Sequence, residues 1–400
     1  MDNPSVSCLI ITYAPTREVL DECLESLSSQ THKPDRILIA DNKSETSEIV
    51  SSLPGDEIVI LMLPANLGFA GAINRALSEI DTDFVLIMNF DVILESNFIE
   101  EALKGFTDEK IMCVTGKTLF MNDRKVIDNT GTLVNGHLSA YNRGVGQIDI
   151  GQYDFPDQPM GACFAAALIR RKAFEPKFVG PMDDNYFLYY EDVDWCYRMN
   201  IYGYRCSYVP TAVMYHHHSL TTRDKDVAFK YYYIQRNLLY TIVKNMKLIT
   251  MIKLLLFHYR HHRMRAKVED EFREVTARIY KSFWAAFPRL FFQRQVIQLR
   301  RKVSDTDVVN LSINERGHLD DVKLIPQITW ENLRDMFARL GKFGENTKAS
   351  RLSDVLELTS RYEEINPAQA FEITALFKDE DERVKDMVNH LVKKHTVADR

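Results

Sequence analysis

Residues 84–91 read Phe-Val-Leu-Ile-Met-Asn-Phe-Asp, five apolar residues followed at once by Asn-x-Asp. A short run that is apolar throughout predicts a strand buried on both faces, as in a parallel sheet covered by helices. In such sheets, ligands bind beyond the carboxyl ends of the strands, where Asn89, Phe90 and Asp91 would lie. A carboxylate at a rigid strand end can hold a divalent metal ion, which makes Asp91 a candidate ligand. Taken alone, the tripeptide also fits a polar strand end at which Asp91 caps a turn.

The residues before this stretch repeat the alternation of short apolar runs with amphipathic segments. Strands are predicted at Val6–Thr12, Arg36–Ala40 and Glu57–Met62, and helices at Arg17–Gln30 and Phe69–Ile80. We therefore predict an α/β fold whose N-terminal half is Rossmann-like, with a mostly parallel sheet and flanking helices. Polar residues again follow the first two strands and are candidate ligand contacts: Thr12, Tyr13, Asp41 and Asn42.

A glycine-containing turn precedes the second of these helices and reads Asn66-Leu67-Gly68-Phe69-Ala70-Gly71. Glycine permits close backbone approach, and a helix N-terminus attracts phosphate or sugar oxygens. The pattern therefore makes Gly68 and Phe69 candidate ligand contacts, although a bare glycine pattern is unspecific. Arg75, further along the helix, either pairs with an anionic ligand or forms a surface salt bridge.

Downstream of residue 91 the periodicity becomes weaker. Residues 120–160 are rich in Gly, Asn and Asp, which predicts irregular hairpins that could form an acceptor surface. Further strands are predicted at Gly161–Ile169, Arg205–Val209 and Ala212–Tyr215, with a helix from Glu191 to near Gly203.

Three carboxylates lie within four residues, Glu191-Asp192-Val193-Asp194, at the start of that helix and after the aromatic run Tyr186–Tyr190. The helix dipole and its free N–H groups favour carboxylates at this position, which alone accounts for them. Alternatively, Asp192 is a general base, because removing a proton from an attacking hydroxyl requires a positioned acceptor.

Three consecutive histidines, His216 to His218, follow the last predicted strand. Imidazole binds metals well, so one histidine at this strand end could complete a metal site begun by Asp91. A histidine run is also compatible with a solvated loop, and at most two of the three side chains can point inward.

Taken in order, these motifs resemble the family 2 glycosyltransferases, specifically their rhamnosyltransferase-like branch. The matching series runs through Thr12-Tyr13, Asp41-Asn42, Asn66–Gly71, Asn89-Phe90-Asp91, Gly161-Ala162-Cys163, Tyr189-Tyr190-Glu191-Asp192-Val193-Asp194-Trp195-Cys196 and Val209–His217. The resemblance covers residues 5–245 and includes Gln235-Arg236-Asn237.

The resemblance implies a GT-A fold, a nucleotide-sugar donor, a divalent metal (Mg²⁺ or Mn²⁺) and inversion at the anomeric carbon. It implies that Asp192 is the catalytic base and that Asp91 and His216 bind the metal. Asn89 departs from the generic motif, which begins with Asp, and leaves fewer anionic ligands. The nucleotide-sugar-binding residues would be Thr12, Tyr13, Asp41, Asn42, Gly68, Phe69, Arg75, Asn89, Phe90 and Asp91, and the acceptor-binding residues Glu191, Asp194 and Trp195.

The donor and acceptor that the resemblance implies are dTDP-rhamnose and a lipid-linked or growing cell-surface polysaccharide. A UDP-sugar such as UDP-galactofuranose is the alternative donor. Two alternatives of other classes are a non-catalytic glycan-binding or scaffold protein and a nucleotidyltransferase. The retained carboxylates Asp91 and Asp192 argue against the first, and the lack of a Gly-rich, Lys-containing segment after the first strand argues against the second.

Charge is distributed unevenly along the chain. Residues 1–222 hold 17 Lys and Arg against 31 Asp and Glu, residues 223–302 hold 19 against 6, and residues 303–400 hold 14 against 19. We therefore predict three parts: a catalytic domain at 1–222, a basic, aromatic-rich helical segment at 223–302, and an acidic helical tail domain at 303–400. The tail is a candidate for homo-oligomerisation or for contact with another enzyme of the same pathway.

The basic segment has the composition of helices that lie in an anionic membrane surface. The alternative is that these helices pack on the catalytic domain with their basic side in solvent or against an acidic partner. Its most apolar stretch, Leu248–Phe257, is shorter than the about 20 apolar residues that cross a bilayer. No recognised nucleic-acid-binding module accompanies the charge, so we do not expect nucleic acid as a partner.

The six cysteines form no CxxC pair, and the N-terminus lacks a basic start followed by a long apolar stretch. The first observation argues against a zinc cluster or a disulfide framework, and the second against a secretory signal. We therefore expect a cytoplasmic protein that associates peripherally with the inner face of the cell membrane.

Overall fold

The computed structural model describes residues 4–53, 58–149, 151–217, 227–268 and 270–313, together with Lys385 and Asn389. Its strands are β1 (Val6–Thr12), β2 (Arg36–Asp41), β3 (Ile58–Met62), β4 (Phe84–Asn89), β5 (Val92–Leu94), β6 (Ile111–Phe120), β7 (Asp123–Asn129), β8 (Thr132–Val134), β9 (Ala140–Asn142), β10 (Ala166–Arg170) and β11 (Arg205–His216). Its α-helices are α1 (Arg17–Ser28), α2 (Ser47–Ser51), α3 (Gly68–Ala76), α4 (Phe98–Lys104), α5 (Glu191–Ile201), α6 (Val227–Asn245), α7 (Leu248–Val268), α8 (Asp270–Arg300) and α9 (Asp305–Ile313).

A mixed, mostly parallel sheet with the order β3-β2-β1-β4-β10-β6-β11-β5 forms the centre of the protein. Strands β1 to β4 pair in parallel, whereas β10 runs antiparallel between β4 and β6. Strand β7 pairs with β6 outside this path, and β8 pairs with β9 in a separate ribbon. The predicted fold class, an α/β sheet with flanking helices, is confirmed.

The strands are buried on both faces, as their continuous apolar runs predict. Along β1, Leu9 packs into one core layer and Cys8 into the other, because successive side chains point to opposite faces. The first layer includes residues of α3, α5, α6 and α8, and the second includes residues of α1 and α4. The sheet edge beyond β1, β2 and β4 is therefore held rigidly between two helical layers.

Several sequence-based boundaries differ from the structure, among them the end of α1, which is Ser28 rather than Gln30. Strand β10 begins at Ala166, so the predicted start at Gly161 is wrong: Gly161 forms an isolated bridge with Thr132, and Phe164 and Ala165 form a turn. Helix α3 ends at Ala76 and continues as a 3₁₀ turn to Glu79. Strand β11 is one strand where two were predicted, because a register shift between Val209 and Val213 accommodates Pro210, which has no N–H to donate.

The predicted basic segment is helical, as its sequence indicates. Helices α6 and α8 pack on each other, and α7 packs on both. None of the described helices is long and apolar enough to cross a membrane. Residue His218 and most of the predicted tail lie outside the described residues.

The chain divides into two compact units. The first comprises Met1–Val145 and Asp154–Ile313 and holds every element named above. The second comprises Gly146–Tyr153 and Asn314–Arg400, and within its described part Gln152 Nε2 donates to the Ile148 carbonyl at 2.8 Å. The three-part division drawn from charge stays a prediction.

Candidate active site

The structure brings Asp91 and His216 together at the edge of the sheet. Asp91 directly follows β4, and the antiparallel pairing of β5 with β11 places His216 opposite Val92. The backbone N–H of His217 donates to the Asp91 carbonyl at 3.0 Å, which fixes the two segments against each other. His216 Nε2 lies 3.5 Å from Asp91 Oδ1, and both side chains are buried.

Asp128 belongs to the same cluster, and the sequence analysis missed it. This carboxylate near the end of β7 is buried, and its Oδ2 lies 2.8 Å from His216 Nδ1. A carboxylate on one ring nitrogen orients the other nitrogen toward its ligand, as around many metal-binding histidines. Its hairpin lies in the weakly periodic stretch 120–160, and no local motif marks it.

The two carboxylates create a strong preference for positive charge at His216. Burial alone would lower the pKa of the imidazole, but hydrogen bonds and charge attraction from Asp128 and Asp91 outweigh it and raise the pKa to about 9. The two carboxylates therefore favour one positive charge in this cluster, which the protonated ring supplies.

Asp91 and His216 fit a divalent metal by donor chemistry. Asp91 Oδ1 is buried and has no hydrogen-bond partner among the described residues, although it faces the imidazole. Mg²⁺ and similar ions commonly take one or two carboxylates from the protein and the rest of their ligands from phosphates and water. Within the described part of the chain, no group of three or more His, Cys, Asp or Glu side chains could hold a metal by itself. The site thus suits a metal whose remaining ligands come from a bound diphosphate.

Asp192 lies in the first turn of α5, against the same sheet edge. The N–H of Phe164 donates to Asp192 Oδ2 at 3.4 Å, and the neighbouring Ala165 carbonyl accepts from Asn89 N at 2.8 Å. Burial raises the pKa of Asp192 despite hydrogen bonds from backbone N–H groups. A carboxylate whose pKa moves toward neutrality is a better proton acceptor, as a general base requires.

Cys163 is within electrostatic reach of both parts of the site. Burial and then the charges of Asp192 and Asp128 raise the pKa of its thiol. Since Asp128 contacts His216, Asp192 and the cluster around His216 both act on the same residue. This supports one site built around positions 91, 192 and 216.

Glu191, the residue before the candidate base, is buried and carries a raised pKa. Burial is the larger cause and the charge of Asp192 the second, and together they raise the pKa of Glu191 to about 8. Its Oε2 has no hydrogen-bond partner among the described residues. At neutral pH Glu191 is therefore mostly protonated, which leaves Asp192 as the better base of the pair.

The loop before α5 is strained and held in place. Phe187, Tyr189 and Tyr190 have φ angles of 65°, 64° and 69°, a left-handed conformation that side chains disfavour. From α6, Asn237 Nδ2 donates to the carbonyls of Tyr186, Leu188 and Tyr189, at 2.9, 2.9 and 2.6 Å. The preceding Arg236 donates to the Tyr186 carbonyl at 2.7 Å. This explains structurally the Gln235-Arg236-Asn237 motif, and it ties α6 to the position of Asp192.

The other two residues predicted to bind acceptor lie in the core. Asp194 is buried, where it pairs with Lys244 Nζ at 2.8 Å and accepts from Asn245 Nδ2 at 2.7 Å. Trp195 is fully buried, and its Nε1 donates to the Gly180 carbonyl at 2.9 Å. Their burial argues against direct acceptor contact and indicates that both residues anchor α5.

The predicted nucleotide-contacting residues after β1 and β2 form a connected network. Thr12 Oγ1 donates to Asp41 Oδ1 at 2.8 Å, and Asp41 Oδ2 also accepts from Lys43 N and Ser47 Oγ. Asn42 Oδ1 accepts from the N–H of Leu67 at 3.1 Å, which links β2 to the glycine turn. Hydrogen bonds within the protein thus fix the side chains of Thr12, Asp41 and Asn42 in the predicted nucleotide-binding region.

The glycine turn touches the strained loop through backbone atoms. Phe69 N donates to the Phe187 carbonyl at 2.8 Å. Gly68 has φ +72°, and a Cβ there would lie 2.2 Å from that same carbonyl oxygen, so only glycine fits.

For the remaining residues predicted to contact the donor, the described part of the structure shows no side-chain hydrogen bond to the rest of the site. Tyr13 and Asn89 are half-buried, and Phe90 is packed into the core. Arg75 forms the surface alternative considered above, a salt bridge to Glu79 at 3.6 Å. His217 Nε2 lies 3.7 Å from Glu22, so of the two described histidines only His216 contacts Asp91 through its side chain.

Comparison with known proteins identifies the chemistry of this edge. Residues 7–176 match the family model described as glycosyl transferase family 2, a range that contains β1 to β4 and Asp91. Residues 7–176 therefore form a family 2 glycosyltransferase domain. The match argues against the nucleotidyltransferase alternative.

The curated proteins similar to this glycosyltransferase include several rhamnosyltransferases. It is 28% identical over 234 residues to the O-antigen chain rhamnosyltransferase WbaN of Salmonella anatum, covering 56% of this chain and 69% of that protein. It is 27% identical over 235 residues to an N-acetylglucosaminyl-diphospho-decaprenol L-rhamnosyltransferase of Mycobacterium tuberculosis, covering 53% of this chain and 76% of that protein.

A solved structure supports the fold of this glycosyltransferase. GalNAc-T7 with UDP, GalNAc and Mn²⁺ superimposes with a TM-score of 0.54 at 12% identity, covering 81% of this chain and 58% of that one. The similarity confirms the predicted GT-A fold.

Proposed function

We propose that this glycosyltransferase transfers a sugar from a nucleotide diphosphate donor to a lipid-linked or growing polysaccharide, with inversion at the anomeric carbon. The observation that carries the proposal is the cluster of Asp91, His216 and Asp128, which meets the Asp192 region at one sheet edge. One side of this edge suits a diphosphate and the other a reacting hydroxyl.

In the proposed mechanism, Asp192 accepts the proton of an acceptor hydroxyl as that oxygen attacks the anomeric carbon. The bond between that carbon and the diphosphate oxygen breaks in the same displacement, so the nucleoside diphosphate leaves. Asp192 is suited to this role because burial raises its pKa while two backbone N–H groups fix its orientation.

Asp91 and His216 would hold a divalent metal, Mg²⁺ or Mn²⁺, with Asp128 orienting the imidazole. Bound there, such an ion would neutralise charge on the diphosphate leaving group. Tyr13, Asn42 and the glycine turn would contact the nucleotide and the sugar, since Asn42 bonds to Leu67 and Gly68 at the N-terminus of α3. Thr12 and Asp41 would hold the loop in place.

For the donor we propose dTDP-rhamnose, with a UDP-sugar as the alternative. The support comes from the names of the relatives, several of which are rhamnosyltransferases. Their names also include an O-antigen chain and a diphospho-decaprenol acceptor, which supports a lipid-linked glycan as the acceptor class. Peripheral placement at the cytoplasmic face of a membrane fits such an acceptor and the basic segment at 223–302.

The test is release of free nucleoside diphosphate from a panel of nucleotide sugars, with and without Mn²⁺. We expect release from dTDP-rhamnose that requires the metal and an acceptor. Asp192→Asn should still bind donor, seen as donor-dependent protection against thermal unfolding, but lose about a thousandfold in turnover. Turnover of Asp192→Asn at the wild-type rate would refute the base assignment, and release of pyrophosphate would refute the reaction class.

A further inference from the structure

Helix α8 has an apolar face that the described part of the protein leaves uncovered. The side chains of Trp284, Phe292 and Leu299 are 63%, 72% and 87% exposed. Exposed residues along the helix recur every three or four positions, so they share one face over about 22 Å. This face also carries the exposed polar residue Gln295, and we call its apolar residues the α8 stripe: Trp284, Pro288, Phe291, Phe292, Val296 and Leu299.

The opposite face of α8 accounts for the packing of this helix on the protein. Phe283, Leu290 and Ile297 are buried in the same core layer as α5 and α6. Arg294, also buried, donates to the Val243 carbonyl of α6 at 2.9 Å. The α8 stripe therefore takes no part in this packing, and large exposed apolar faces in soluble domains usually mark interaction sites.

Charge around the stripe indicates the kind of partner. Residues 275–302 contain no Asp or Glu. Of their seven Lys and Arg, four bind groups within the protein, and three are exposed: Arg278, Lys281 and Lys302. Helix α7 contains five Lys and Arg and no Asp or Glu. Helix α7 also exposes Ile249 and Leu256 at its N-terminal end, and its exposed basic residues include Lys253 and Arg260. Aromatic and aliphatic side chains flanked by basic residues match a helix that lies in the interface of a membrane with anionic lipids.

We propose that the α8 stripe docks this glycosyltransferase on an anionic lipid surface, with its aromatic rings between the headgroups and the flanking Lys and Arg at the phosphates. A second copy of the chain fits this surface less well, because a symmetric contact would bring two basic faces together. The inference deepens the proposed function, since it gives the surface by which the enzyme reaches a lipid-linked acceptor.

The experiment is flotation of the full-length protein with two kinds of vesicle, one of phosphatidylcholine alone and one containing phosphatidylglycerol. We expect wild-type protein to float with the anionic vesicles and to dissociate partly at high salt. The double variant Trp284→Glu/Phe292→Glu should bind them on the order of a hundredfold more weakly, because two large apolar side chains are lost from the contact. The matched control, Trp284→Leu/Phe292→Leu, keeps the stripe apolar and should retain most of the binding.

Three measurements keep the outcomes distinct. Thermal unfolding of both double variants checks that they fold, and transfer to a water-soluble acceptor should stay at the wild-type rate in both. If wild-type protein does not float with anionic vesicles, the proposal is overturned. It is also overturned if the wild type is a dimer and Trp284→Glu/Phe292→Glu is a monomer, because the stripe would then bind a second copy of the chain. Loss of transfer in the wild type would refute the proposed function and leave the flotation result unaffected.

Discussion

Two aspartates, Asp41 after β2 and Asp91 after β4, end neighbouring parts of the same sheet edge and differ in how their oxygens are used. Asp41 accepts from Thr12 Oγ1, Lys43 N and Ser47 Oγ, so both of its oxygens are bonded within the protein. Asp91 is equally buried, yet its Oδ1 has no hydrogen-bond partner within the described residues and faces an imidazole at 3.5 Å. The polar neighbour of Asp91 Oδ1 is thus a titratable ring, which can release its proton to make room for a ligand, whereas Asp41 is held by donors of its own loop. We infer that Asp41 organises its loop, whereas Asp91 is kept for the reaction.

Replacing each aspartate by asparagine tests this difference most directly. Asp91→Asn should reduce transfer by on the order of a thousandfold, since metal binding contributes several kcal/mol to the barrier, and it should hardly lower the Tm. Asp41→Asn should lower the free energy of unfolding by about 1–3 kcal/mol, because it removes a shared acceptor. Steady-state kinetics and thermal unfolding are measured for both variants. If both lose the same free energy of unfolding, the proposed difference between Asp41 and Asp91 is refuted.

Asp128 contacts His216, one of the two proposed metal ligands, and its replacement tests whether it orients the imidazole. Asp128→Ala should weaken Mn²⁺ binding about 10- to 100-fold, because the carboxylate that orients His216 is lost. Electron paramagnetic resonance of Mn²⁺ in the presence of nucleoside diphosphate measures this without turnover. Asp128→Asn, which keeps an acceptor oxygen, should recover part of the affinity. Unchanged Mn²⁺ binding in the alanine variant would leave Asp128 with a purely structural role.

Asn237 tests whether the loop strain matters for the base. Asn237→Ala should lower kcat about tenfold with little change in donor KM, because the left-handed residues lose their anchor and Asp192 loses its fixed position. The matched control is Asn245→Ala, a buried asparagine on the same helix whose amide donates to Asp194 instead. It should lose stability with a smaller change in kcat. If both variants lose kcat equally, the loop anchor has no specific role.

Glu191 gives the smallest effect and depends on pH. Its pKa is raised in the folded protein from 4.5 to about 8, so the folded state binds a proton that the unfolded state has released. Its contribution to stability is therefore full below pH 4.5 and is lost as the pH rises through 8. Glu191→Gln removes this dependence and should unfold a few degrees above wild type at pH 8.5, with a much smaller gain at pH 5. A gain that is the same at both pH values would contradict the assigned burial of the carboxyl.

The sequence predicted the part of the site that lies in regular structure. Continuous apolar runs and helical periodicity locate β1, β2, β4 and the polar residues at their ends. Asp128 could not be found in this way, because the β6–β7 hairpin that carries it meets His216 only through the long-range pairing of β6 with β11. Likewise, no local pattern distinguishes Asp192, which faces the site, from Asp194, which pairs with Lys244 in the core. Both distinctions depend on tertiary packing.

The backbone contact between Gly68 and Phe187 has a consequence for redesign of this enzyme. The turn proposed to hold the donor and the loop that precedes the base are in direct contact, with no side chain between them to absorb a change. An insertion or a bulkier residue in the turn must therefore displace the loop as well. Grafting a new donor preference onto this scaffold would require exchanging both segments together.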